Sequence, residues 1–390
     1  MKKNNFIKSI KNTNLRNLTK LTVLNFSLNQ LSKIEKKSFK NLLNLVKLDL
    51  GKNCLFRLDP QLFSNLKLLR ELYLNSNELK FLDASIFENL TSLTQLDLSS
   101  NKLYSLHPNL FGSMLNLRVL KLSQNFIKEI NENLFQATKS LRDLFFDNNY
   151  LENLNKALYS IESIKYLELS NNRLSSIDLS QNLKLETLRL RNSNDKLINL
   201  FDINYFINLI ELDLSLSILS NQVFVIIPFD KCLKLNKLNL TGLNLNISAD
   251  IFNNISYLTE IDISGNRLYS NEPIFSKLNI LNKLVLKNCN LEHIESNFVN
   301  FSYFKFLGYL DLSYNKISII KNSYFRNNLF LTEIFLSNNM IRFIENESFK
   351  LAYHFMNFDI SFNQLTSFSS NNIFSKSIII NFKINNNNID

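Results

Sequence analysis

The chain has 390 residues and a formal net charge of +10, with only 5 Gly, 4 Pro and no Trp but 33 Phe. Such a composition argues against Gly/Pro-rich linkers and turn-dense β modules, and its abundant Asn, Lys and Ile against scarce Ala reflect coding bias rather than function. Three cysteines, Cys54, Cys232 and Cys289, lie too far apart to define a disulfide framework or a zinc site. The basic N-terminus lacks an apolar core of signal-peptide length, and the longest apolar run, Val223 to Phe229, is far short of the roughly 18 residues of a spanning helix.

Internal periodicity dominates from end to end. Counting one period back from Leu21 puts Asn5, Ile7, Ile10, Leu15 and Leu18 at repeat positions, so Met1 falls inside a repeat. The phrase LxxLxLxxNxL then starts at Leu21, Leu45, Leu69, Leu93, Leu117 and Leu141, always 24 residues apart. It continues at Ile164, Leu185, Leu209, Leu235, Leu258, Leu281, Leu307, Leu331, Phe355 and Ile379, with spacings of 21 to 26. The last copy stops at Asp390, before its second half.

In Leu93-Thr-Gln-Leu96-Asp-Leu98 the alternation is that of a short strand with one face buried. A single such strand cannot bury that face alone, so successive copies must stack into a parallel sheet over a shared core. The Asn three residues beyond (Asn29, Asn53, Asn77, Asn101, Asn125, Asn149, Asn172, Asn266, Asn315, Asn339, Asn363 and Asn387) sits where the chain bends inward. A buried amide there can satisfy backbone groups of the neighbouring turn and form a ladder. Ser193, Ser217, Leu243 and Cys289 replace it, and Cys289 reads as a small buried substitute, not a reactive thiol. Further on, Phe39, Phe63, Phe87, Phe111, Phe135, Phe252, Phe275, Phe325 and Phe349 recur at one position and are expected to stack between the strands and the opposite side.

This phrase resembles the typical leucine-rich repeat of about 24 residues, a class found mostly in extracellular recognition proteins such as Toll-like receptors, Slit-type guidance proteins and small proteoglycans. The resemblance spans essentially the whole chain. It implies an α/β-type repeat solenoid, a right-handed horseshoe with a parallel concave β-sheet and a mostly irregular convex side. The expected organisation is one domain over 1–390: a truncated repeat at 1–20, six regular repeats at 21–163, irregular central repeats at 164–306, and regular repeats at 307–390 with the last truncated. Family members usually carry polar or cysteine-rich caps, which neither end shows, so the expectation is a fragment of a longer protein. In the middle the spacing varies, the Asn ladder fails four times, and insertions fall at 192–196 and near Pro228. That irregularity reads either as a ligand-binding region or as drift in a side that tolerates length changes.

Enzyme motifs are absent: no glycine-rich phosphate cradle, no HExxH, and three scattered histidines (His107, His293 and His354) outside any triad context. No catalytic role, cofactor or metal is expected. Positions two, four and six after each start point to the concave side and hold 13 acidic residues against 8 basic ones. A nucleic-acid groove would need the opposite sign, so the excess Lys and Arg should lie elsewhere and no nucleic-acid partner is expected. Some of these Asp residues are also expected to be framework, because LDLS is a default phrase of the repeat. Aromatic residues are no more frequent on this face than in the chain, but two groups stand out. Phe145 and Tyr166 occupy adjacent repeats beside Glu168, Arg189 and Arg191, while Tyr309, Tyr314 and Phe335 lie toward the C-terminal end with Phe362 nearby. Aromatic and Arg side chains are favoured interface anchors, so these eight residues, Phe362 apart, are the candidate protein-binding residues.

Eight N-x-S/T sequons, at Asn17, Asn25, Asn89, Asn239, Asn246, Asn254, Asn300 and Asn346, match what this composition gives by chance. Asn25 is expected on the concave face, and Asn17 and Asn254 in repeat interiors. The resemblance implies protein recognition, in the first reading as the ectodomain, or part of one, of a cell-surface receptor or adhesion protein. An intracellular scaffold binding a cytosolic protein is the alternative, and a structural matrix role a third.

Overall fold

The computed structural model describes residues 6–154, 156–193, 206–217, 229–268, 273–292, 294, 301–374 and 377–389. It divides into two units, Met1–Phe201 and Asp202–Asp390. Each is a stack of turns that contributes one short strand apiece to a parallel sheet. In the first unit the strands are Val23–Asn25, Lys47–Asp49, Glu71–Tyr73, Gln95–Asp97, Val119–Lys121, Asp143–Phe145, Tyr166–Glu168 and Thr187–Arg189. In the second they are Glu211–Asp213, Lys237–Asn239, Glu260–Asp262, Lys283–Val285, Tyr309–Asp311, Glu333–Phe335, His354–Asp359 and Ile378–Lys383. Every repeat start identified from the sequence therefore carries a strand at the expected place.

Register follows the repeat: Leu48 pairs with Leu72 and Leu72 with Leu96, each strand parallel to the next. The central residue of these strands is buried, and the residues on either side stay half exposed. That is the one-faced strand the alternation requires. The core beneath it is aliphatic, with Leu45, Leu48, Leu50 and Leu55 of one turn fully buried, as are their counterparts in the following turns. On the opposite side the chain runs mostly in turns. Among the described residues it adds three short parallel pairs, Ser9–Ile10 with Lys33–Ile34, Asn246–Ile247 with Arg267–Leu268, and Ile319–Ile320 with Phe343–Ile344.

The expected asparagine ladder is present. Asn53 donates through Nδ2 to the Phe26 carbonyl of the preceding turn (2.9 Å) and to its own Leu50 and Gly51 carbonyls (3.0 and 3.1 Å). Its Oδ1 accepts the Leu31 amide at 2.9 Å. One side chain thereby bonds four backbone groups, sharing the Phe26 and Leu50 carbonyls with Asn29 and Asn77 on either side and the Gly51 carbonyl with the Leu28 amide. The same pattern recurs at Asn77, Asn101, Asn125 and Asn149. The ladder is built on strain: the residue just before each Asn, for example Lys52, Ser76, Ser100 and Gln124, holds a left-handed φ of 53° to 56°.

At Cys289 the substitution works as read from sequence. Its Sγ lies 3.5 Å from the Ile263 carbonyl of the preceding turn, and burial pushes its thiol up to about 12. Leu243 fills the same place with a buried aliphatic side chain that can donate nothing.

The phenylalanines also stack. Phe39, Phe63 and Phe87 lie 6.3 Å apart from ring to ring with planes within 13°, and Phe111 and Phe135 follow suit at 6.2 Å. In the second unit Phe252 and Phe275 lie 5.6 Å apart, and Phe325 and Phe349 4.9 Å. Two further members, Phe229 and Phe301, are equally buried. One expectation fails: Asn17 and Asn254, read as interior, are exposed, because both lie in the turn leading to a strand rather than under it. The insertion near Pro228, most of that at 192–196, and His293 lie outside the described residues.

Candidate functional site

The sheet face that carries the half-exposed strand residues is the natural place for recognition, because every turn offers it two or three side chains on rigid backbone. In the first unit the structure brings Phe145, Tyr166, Glu168 and Arg189 together. Phe145 and Tyr166 are diagonal, not opposite, since Phe145 pairs with Glu168 and Tyr166 with Asp143. Their rings still meet at 4.8 Å, tilted by 34°. Arg189 lies over the Tyr166 ring at 5.5 Å and 3.8 Å from Glu168. Lys121 closes the other side, 5.4 Å from the Phe145 ring centroid. Arg191 stands one strand position further along and exposes its side chain, while its backbone amide donates to Ser170 Oγ at 3.1 Å.

Burial dominates the electrostatics of this cluster. It raises the Glu168 carboxyl above its usual range, and Asp147 adds to the shift. The Ser170 hydrogen bonds, one of them the backbone N–H at 3.0 Å, and Arg189 oppose it. Asp143 is raised too, again by burial first, against Arg142 and Lys165. Among the described residues its carboxylate has no hydrogen-bond or ion-pair partner.

In the second unit Tyr309 and Phe335 meet at 5.3 Å, with Lys283 5.0 Å above the tyrosine ring. Burial, then Asp311 and Glu333, push the Tyr309 phenol up to about 12, so it is a hydrogen-bond donor throughout the physiological range. Tyr314 stands apart from this pair. It is exposed, Lys287 lies 4.9 Å over its ring, and its φ of 59° is the left-handed conformation of the ladder turn. Phe362 is exposed at the same left-handed position two repeats on.

Acidity on this face is largely framework. Asp97, Asp213, Asp262, Asp311 and Asp359 each accept the backbone amide of the residue two further on, at 2.9 to 3.0 Å. In most of these turns the same Oδ1 also takes the serine hydroxyl. Such Asx turns hold the chain as it leaves the strand. These carboxylates set the backbone where it leaves the strand.

Sequence reasoning missed the lysines that fold over the rings and the triad Lys47–Glu71–Tyr73. There the ion pair is 2.8 Å, the Tyr73 hydroxyl donates to Glu71 at 2.8 Å, and the lysine sits 5.0 Å over the ring. A basic residue one strand before an aromatic was the available signal.

Comparison with known proteins agrees with this architecture. Residues 29–79, 44–103, 67–125, 91–151 and 115–174 match the Leucine rich repeat family, and residues 201–308 and 227–353 match the BspA type Leucine rich repeat region. The chain is a leucine-rich-repeat protein. A leucine-rich-repeat protein of Leptospira interrogans is similar over 98% of this chain and 95% of its own, at 24% identity and a TM-score of 0.79. The functional domain of InlJ from Listeria monocytogenes is similar over 90% and 70%, at 22% identity and a TM-score of 0.67. Toll of Drosophila, in its complex with Spatzle, is similar over 92% of this chain but 56% of its own, at 21% identity and a TM-score of 0.68. No curated protein matches the sequence. Among the described residues no helix is long and apolar enough to cross a membrane.

Proposed function

We propose that the chain recognises another protein on its strand face, anchored at Phe145, Tyr166, Glu168, Arg189 and Arg191 in one unit and at Tyr309, Tyr314 and Phe335 in the other. The observation that carries this reading is the Phe145–Tyr166 pair, a ring contact flanked by Lys121 and Arg189 and standing beside the Asp143 carboxylate, unpaired among the described residues. Aromatic and arginine side chains held rigidly next to a partly desolvated charge are what interface hot spots are made of. A photo-reactive residue in place of Phe145 is expected to capture the partner, whereas the same group in place of Glu88, exposed on the opposite side, is expected to capture none. With the partner in hand, Tyr166→Ala combined with Arg189→Ala should weaken binding at least about tenfold; unchanged affinity in the double variant would remove the cluster from the interface.

The setting we infer is the ectodomain of a cell-surface receptor or adhesion protein. The typical 24-residue phrase supports it, and the solved neighbours that include Toll bound to Spatzle are compatible with it. The exposed, unpaired Cys54 favours a second reading, an intracellular scaffold, because free surface thiols persist best in reducing compartments. A membrane-impermeant maleimide separates the two. Labelling of Cys54 on intact producing cells supports the surface, and labelling only after lysis supports the scaffold.

A further inference from the structure

Beside the strand face, on the side from which the chain enters each strand, the two units differ. Three positions per repeat form this flank: two and one before the first aliphatic residue, and one after it. Across the eight repeats of the second unit they hold twelve large apolar residues and only two formally charged ones, Lys234 and Lys305. Across the eight repeats of the first they hold five and ten, among them Arg70, Arg118, Arg142 and Lys165. In the second unit Tyr257, Ile280, Phe306 and Phe330 each stand three residues before a strand, and those strands pair consecutively in register. They therefore form one column at about 4.8 Å per step. Tyr353 and Met356 extend the apolar surface into the next turn. All six are 40% to 63% exposed, and Phe306 and Phe330 already stack on one another at 6.1 Å.

We propose that this flank is the interface of a two-fold dimer of the chain. Six large side chains, half exposed, offer on the order of 700 Å² of apolar surface. That is at the upper end of what monomers leave bare and close to the roughly 800 Å² per partner of a stable interface. A column of uniformly apolar residues is complementary to a copy of itself, which is what an isologous contact demands. Phe306 stands in the middle of the five repeats, so a two-fold axis through it sets Tyr257 of one protomer against Tyr353 and Met356 of the other. No acidic residue on the flank offers a charge pattern by which a different partner would be selected. The cationic flank of the first unit would repel its own copy, and this confines the contact to the second unit.

Sedimentation velocity on the full chain between about 1 and about 100 µM tests the proposal. Wild type should pass from monomer to dimer within that range, with a midpoint that added salt does not raise. Phe306→Glu should raise the dissociation constant at least about thirtyfold without moving the melting temperature taken at about 1 µM or below, where both chains are monomeric, because the side chain is outside the core. Phe306→Lys should do the same. An equimolar mixture of the two variants should dimerise again, since opposite charges then meet at the axis, and Arg118→Glu should leave the dimer unchanged. A wild type monomeric at the highest concentration, or a Phe306→Glu chain that dimerises as tightly as wild type, overturns the proposal. A monomeric chain that floats with neutral phospholipid vesicles and loses this with Phe306→Glu reassigns the flank to a lipid surface.

Discussion

The turns around Asn125 in the first unit and those around Cys289 in the second obey the same rules with different completeness. At Asn125 the rung is whole: Nδ2 donates to the Leu98, Leu122 and Ser123 carbonyls, and Oδ1 accepts the Leu103 amide. At Cys289 a thiol stands in, 3.5 and 3.6 Å from the Ile263 and Lys287 carbonyls, as a weak donor with no oxygen to accept an amide. Asn315, one turn further, keeps its ordinary bond, its Oδ1 taking the Leu291 amide at 3.0 Å, and takes the Cys289 amide at 2.9 Å in addition. In a stack held together by nearest neighbours, the difference teaches that an incomplete rung is tolerated between whole ones.

Removing a whole rung should break that comparison most severely. Asn125→Ala strands the Leu103 amide, at about 1–3 kcal/mol, and removes one of two donors from each of the Leu98, Leu122 and Ser123 carbonyls, which keep Asn101, Asn149 and the Ser100 amide, at about 0.5–1.5 kcal/mol for each bond lost. We expect a loss of about 3 kcal/mol or more in urea unfolding, with amide exchange accelerated in the turns on both sides of residue 125. A loss below about 1 kcal/mol would mean that water reaches these groups. The reverse change sharpens the comparison from the other side. Cys289→Asn should restore the rung and stabilise the chain by about 1 kcal/mol; a destabilised variant would show that the site is packed for sulfur and has no room for an amide.

Much of this was legible in the sequence because period and residue type coincide. The strand positions, the Asn rungs and nine of the stacked phenylalanines follow from counting forward. Phe229 and Phe301 escaped because each closes a 26-residue spacing. Counting forward displaces them by two, whereas counting back six from Leu235 and Leu307 finds them. On the strand face the identity of Phe145, Tyr166 and Arg189 was readable, and so was their adjacency. Which way a flexible lysine folds was not, so Lys121, Lys283 and Lys287 emerged only from the structure. The excess of Asp on that face was equally visible, but whether a carboxylate closes an Asx turn or meets a partner depends on distances of about 3 Å that residue spacing does not encode.

The smallest expected effect separates the two aromatic clusters by pH. Burial raises Glu168 in one and Tyr309 in the other, but only the carboxyl titrates in mildly acidic solution. An acid whose pKa is higher folded than unfolded adds stability that is fully present below the unfolded value and is lost as pH rises through the folded one. At neutral pH the Glu168 charge is therefore a net cost, because burial outweighs the help of Ser170 and Arg189. Glu168→Gln keeps an oxygen for the Ser170 amide and removes the charge. It should equal wild type in stability below about pH 4 and exceed it increasingly as pH rises toward 7, by a margin below the changes at Asn125 and Cys289. The matching change in the second cluster, Tyr309→Phe, should show no pH dependence over that window, since the phenol stays protonated throughout. If Glu168→Gln is instead less stable than wild type at pH 7, the Arg189 contact outweighs burial, and the first cluster is held together by its charges rather than in spite of them.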